Sequence, residues 1–134
     1  MKGLIALAAT LASWAQAVAA EECMDGAALY QQNCASCHGT ELQGQPDWRS
    51  LGPDGRLPAP PHDATGHTWH HGDDILFRIT RDGTAAVVGG GYESDMPGFG
   101  DSLRDAEIRA ILDYIKSTWP ERERAYQRER TQQE

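Results

Sequence analysis

Apolar residues along this chain fall into a helical period in only a few places. The clearest is Ile108, Ile111, Leu112, Ile115 and Trp119, spaced i, i+3, i+4, i+7 and i+11, which draws one stripe down a helix. Ser102, with Asp105 three residues on, is the expected cap of its start, and Pro120 breaks or restarts it. A shorter helix is predicted over 26–33, where Ala27, Ala28 and Leu29 are good helix formers leading into Tyr30. Another opens at Asp73 and Asp74, whose carboxylates complement the helix dipole; it continues through 75–80 and ends before Gly83. Residues 39–68 show little periodicity, and 52–61 reads as turn and extended chain because each proline fixes φ and removes a donor. A second irregular stretch holds Gly89 to Gly91, Met96 and Pro97 to Gly100. The tail from Glu121 to Glu134 has four acidic and four basic residues with only Ala125 and Tyr126 as apolar anchors, which predicts a frayed, solvated helix. The pattern is all-α: about three main helices joined by long loops. Loops that long need something to pack on.

The first 20 residues follow a different rule. Lys2 precedes a run through Gly3, Leu4, Ile5, Ala6 and Leu7, and the segment closes in Ala17-Val18-Ala19-Ala20. A charged start, an apolar middle and a small-residue end make a secretory signal, cut after Ala20 before the polar Glu21-Glu22. The competing expectation is an uncleaved anchor, which Thr10, Ser13 and Gln16 weaken. Either way the remainder is exported, here to the periplasm, and carries a charge of −9 because the leader holds only Lys2 of a chain that totals −8. An acidic chain without a basic stripe repels phosphate, which argues against nucleic acid and anionic membrane surfaces as partners. Three cysteines are too few for a disulfide scaffold, and a core this small gains from a cofactor.

That cofactor has a motif. Cys34-Ala35-Ser36-Cys37-His38 is a C-x-x-C-H run, the signature of c-type haem attachment. Two thiols three apart on a helical turn reach the two vinyl groups on one edge of a haem, and the following His38 lies under the iron. Chance supplies such a run about 0.003 times in a chain of this make-up. A thioredoxin-like redox pair needs a βαβ context, and a zinc site needs a second ligand pair; neither is present in the sequence.

With these residues the sequence resembles the class I cytochrome c family over roughly 26–119. The resemblance rests on Cys34, Cys37 and His38, on Met96 in Asp95-Met96-Pro97-Gly98-Phe99, and on Gly26 four residues before Tyr30, facing Ile111 and Tyr114. It implies a small cytochrome c fold whose first and last helices cross at that glycine and whose loops wrap one covalently bound haem c. The chain then divides into a signal peptide or anchor over 1–20, a cytochrome domain over 21–119 and a charged tail over 120–134. The resemblance also implies that a proline carbonyl, from Pro60 or Pro61, orients the imidazole of His38. Arg104 departs from the family's usual Ser, Thr or Asp before the last helix, so Ser102 or Asp105 is expected to substitute as cap.

The sixth iron ligand is expected to be Met96. Met24 is the other methionine left after cleavage, and it precedes the first helix. His62, His67, His70 and His71 compete for the place; alternatively His67, His70 and His71 form a copper or zinc site, or these rings lie at the surface or bond a haem propionate. Trp48, Trp69 and Tyr92 are candidate propionate donors or packing groups. Gly89 to Gly91 either allow backbone close to the haem or form a slack loop. Cys23 is left over, as a free thiol or an intermolecular disulfide. The function expected is a non-enzymatic electron carrier using iron in two oxidation states, with redox partners whose docking surface is basic or neutral. The alternatives are the haem subunit of a periplasmic dehydrogenase or oxidase, a haem sensor with a labile sixth site, and metal handling by the histidines.

Overall fold

Helix α5, Asp105–Ser117, carries the apolar stripe, and the fold is built on it. The computed structural model describes residues 24–134, so the leader and Cys23 lie outside the described residues. The other elements are α1 Gly26–Asn33, α2 Ala35–His38, a 3-10 turn Thr68–His70, α3 Asp73–Asp82, α4 Thr84–Val88 and α6 Glu121–Thr131. No strand occurs among the described residues. Ile108, Ile111, Leu112 and Ile115 are all buried, and they serve two clusters. Ile111 and Ile115 pack with Tyr30, Ala35, Leu42 and Trp119, which joins α1 and α2 to α5. Ile108 and Leu112 pack with Leu76 and Phe77 of α3. One stripe therefore holds both the segment with the cysteines and helix α3.

The crossing of α1 and α5 depends on Gly26. A Cβ there would stand 2.1 Å from the Ala110 carbonyl oxygen and 3.1 Å from Tyr114 Cβ. The glycine thus meets Ala110 and Tyr114 rather than Ile111, while Tyr30 tilts against Tyr114 at 5.5 Å between ring centroids. Asp25 caps α1 by accepting from the Ala28 N–H at 3.1 Å.

Two expectations about helix ends are corrected. The cap of α5 is not made by Ser102 or Asp105: Ser102 Oγ donates to the Phe99 carbonyl, and Glu107 reaches back to accept from the Arg104 N–H at 2.8 Å. Glu107 also meets the Arg104 guanidinium at 3.1 Å, so an arginine at the cap position is held by the glutamate three residues on. The tail is not a frayed helix. Glu123 and Gln127 of α6 are buried, and Gln127 Nε2 donates to the His71 carbonyl, Asp73 Oδ1 and Thr131 Oγ1 at 3.3, 2.8 and 3.1 Å. Asp73 N–H donates to Thr131 Oγ1 and Asp74 N–H to Glu134 Oε2, so the tail caps the start of α3. Composition hid this docking because most of the contacts are polar, with Tyr126 adding ring contacts to Trp69 and His70.

Candidate haem-binding site

The cysteine pair sits where α1 passes into α2. Cys34 ends the first helix and begins the second, with its N–H on the Tyr30 carbonyl at 2.8 Å and its carbonyl accepting from His38 N–H at 2.9 Å. Cys34 and Cys37 form no disulfide; Cys34 is half-buried and Cys37 exposed. Burial, reinforced by Cys37, pushes the Cys34 thiol up to about 11. Gly39 then turns the chain at φ 86°, and the buried Tyr30 hydroxyl donates to its carbonyl at 2.8 Å. Burial also pushes the Tyr30 phenol well above its ordinary value, which keeps it a donor.

His38 is buried, and its Nδ1 lies 2.8 Å from the carbonyl oxygen of Pro60. A carbonyl only accepts, so Nδ1 carries the proton. Burial favours the neutral ring and pulls the imidazole below its ordinary value, against the Pro60 bond, which raises it. The neutral tautomer leaves the lone pair on Nε2, the atom needed to bind iron. Of the two prolines expected for this role, Pro60 takes it.

The loop carrying Pro60 is fixed from several sides. Leu42 is buried with φ 61°, a left-handed conformation costly for a side chain of its shape. In that pose its carbonyl accepts from both His62 N–H and Asp63 N–H, at 2.8 and 3.3 Å. Trp119 Nε1 donates to the His62 carbonyl at 2.7 Å, and Gly44 N–H to the His38 carbonyl at 2.7 Å. The strain at Leu42 therefore lies on the segment that steers His38, where such strain tends to collect.

The remaining histidines divide. His62 is not a surface ring: it stacks on His38 at 3.9 Å between centroids, and its Nδ1 bonds Thr68 Oγ1 at 2.8 Å. Burial holds it well below its ordinary value, and the neighbouring His38 and His67 add to this. It lies alongside the His38 ring rather than opposite it. His67 stacks on Trp48, and His70 meets the edge of Trp69. Among the described residues no group of three or more His, Cys, Asp or Glu side chains gathers to hold a metal ion, and the rings of His67 and His71 meet edge-on at 5.7 Å. Trp69 Nε1 is spent on the Ala64 carbonyl at 3.3 Å. Gly89, Gly90 and Gly91 all have positive φ, and a Cβ on any of them would meet no protein atom within 4 Å.

Met96 lies half-buried in the loop between α4 and α5. Its N–H donates to Ser94 Oγ at 3.2 Å, and the Thr84 hydroxyl donates to its Sδ at 3.3 Å. The backbone on either side is packed closely. A Cβ on Gly83 would stand 3.3 Å from the Met96 carbonyl oxygen, and one on Gly98 would stand 2.7 Å from the Arg81 carbonyl oxygen. Thr84 was not singled out by the sequence because helix α4, which presents it, is five residues set between two glycines and has no periodic signal. Arg56 was missed as well. Its side chain reaches Asp95 and Glu93 next to Met96, and its Nε is buried without a protein acceptor.

A sequence model of the cytochrome c family matches residues 23–119, and the chain belongs to that family. It carries covalently bound haem c with its iron and serves as a haem c electron carrier. The match ends at Trp119, so α6 lies beyond it. Neither a search of curated proteins nor one of solved structures returned a match. The residues present fit a haem. Two thiols and a tautomer-fixed imidazole share one turn, and the Arg56 Nε–H is a buried donor of the kind a haem carboxylate satisfies.

Proposed function

We propose that this chain is a periplasmic monohaem electron carrier in which Cys34 and Cys37 form the thioether bonds and His38 and Met96 are the axial ligands. The observation that carries the reading is the tethering of Met96 by Thr84 and Ser94, which favours a built sixth position over a labile one. The haem supplies a one-electron couple, and a thioether on the iron favours its ferrous state relative to an imidazole. The protein's part is to hold both ligands still. Pro60 fixes the His38 ring, and Thr84 fixes the sulfur, so little rearrangement accompanies each electron. No substrate is bound and no bond is made. Export rests on the leader at 1–20. With −9 on the remainder, the partner surface that suits this chain is basic or neutral.

The test is the ferric absorption spectrum of the haem-loaded protein. A weak far-red sulfur-to-iron band is expected in the wild type and absent in Met96→Ala. A haem-loaded wild type without that band removes Met96 as a ligand and moves the sensor reading ahead.

A further inference from the structure

One side chain ties the Met96 loop to a distant turn. Arg56 Nη1 lies 2.5 Å from Asp95 Oδ1, and Nη2 lies 3.8 Å from Glu93 Oε1. Thirty-nine positions separate Arg56 from Asp95, which immediately precedes Met96. The guanidinium grips the chain on both sides of Ser94, the residue whose hydroxyl accepts from Met96 N–H. Arg56 is itself anchored. Its N–H donates to Asp54 Oδ1 at 3.1 Å, and its carbonyl accepts from Gly52 N–H at 2.8 Å. The side chain is 37% exposed, with Nε buried, so this is not a free surface arginine. The clasp borders a cleft of about 450 Å³ lined by Gly52, Pro53, Leu57, Pro58 and Asp95.

We propose that Arg56 is the positioning residue for Met96: by gripping Asp95 and Glu93 it holds the ligand loop down and keeps the thioether on the iron. This rests on the reading of Met96 as the sixth ligand. An outside ligand binds the iron only when the loop opens, so its apparent affinity is the intrinsic affinity scaled by the open fraction. Exposed ion pairs are individually weak, but two on one anchored guanidinium close the loop by about fivefold. Lysine, a point charge on a flexible stem, does not reproduce a fork that spans two carboxylates.

The experiment is an imidazole titration of the ferric, haem-loaded full chain, compared with Arg56→Gln, Arg56→Lys, the pair Glu93→Gln/Asp95→Asn, and all three changes together. Arg56→Gln and the carboxylate pair are each expected to bind imidazole about fivefold more tightly than wild type. Arg56→Lys should fall between wild type and Arg56→Gln. The combined variant should add nothing further, because one interaction has been removed twice. Wild-type affinity in Arg56→Gln overturns the proposal, as do effects that simply add. If Arg56→Gln fails to retain haem, the carboxylate pair carries the comparison, since it leaves the arginine in place. Met96→Ala separates the two claims. Equal affinity in wild type and Met96→Ala sinks the ligand reading and this proposal with it. A wild type that shows the far-red band, beside an Arg56→Gln variant of unchanged affinity, sinks the proposal alone.

Discussion

Thr84 and Pro60 each hold one proposed ligand through a single hydrogen bond, of 3.3 and 2.8 Å, but in opposite senses: Thr84 donates to the Met96 sulfur, and the Pro60 carbonyl accepts from His38. A hydroxyl donating to a thioether draws electron density from sulfur and leaves less for ferric iron, so the bond favours the reduced state. Thr84→Val keeps the shape and removes the donor. It is expected to lower the reduction potential by about 20–60 mV, the size of one modest hydrogen bond expressed in a one-electron couple. Thr84→Ser should stay near wild type. Equal potentials for threonine and valine, measured by spectroelectrochemical titration, would show that the contact does not tune the iron. His62 belongs to this scale too. In the sequence it is one of several histidines; in the fold it is a neutral ring stacked on His38, because burial and the two neighbouring imidazoles disfavour its charge.

At the scale of elements, α5 bears the packing and α6 bears the caps. Ile111 is buried in the cluster that holds α1 against α5, and Ile111→Ala is expected to cost about 2–5 kcal/mol in guanidinium unfolding. A loss under 1 kcal/mol would mean the crossing is held elsewhere. The start of α3 draws its acceptors from the far end of the chain, Thr131 and Glu134, with Gln127 bracing Asp73. Ending the chain after Pro120 should therefore destabilise the holoprotein by roughly 1–3 kcal/mol while leaving its visible spectrum unchanged. An unaltered unfolding midpoint would return α6 to the solvated helix that its composition suggests. The α1, α3 and α5 helices were legible from spacing and end signals. Helix α4 was not, because five residues between Gly83 and Gly89 are too short to show a period.

Across the whole molecule, charge is divided unevenly. Helix α6 and the residues after it are neutral, so the net −9 left after the leader belongs to the remainder of the chain. Charge-steered docking to a basic partner should slow about tenfold as ionic strength rises through the physiological range. Stopped-flow electron exchange against a basic haem protein checks this, and a flat salt profile with the true partner would remove steering from the account. None of the helices among the described residues is long and apolar enough to cross a membrane.

The sequence by itself determined the haem attachment motif, the stripe of α5 and the acidic balance, because each is a local spacing or a sum; the glycine of the helix crossing was implied by the family resemblance. Only the tertiary structure decided that Pro60 and not Pro61 faces His38, that Arg56 reaches Asp95, that Thr84 touches Met96, and that Glu134 caps α3. Three of those pairs join residues 22 to 60 positions apart, and the nearer one, Thr84 with Met96, still spans a glycine-rich loop with no periodic signal. Hydrogen bonds and ion pairs of that kind depend on which atoms the folded loops bring within about 3 Å. A one-dimensional pattern carries periodicity and composition, and neither encodes that approach.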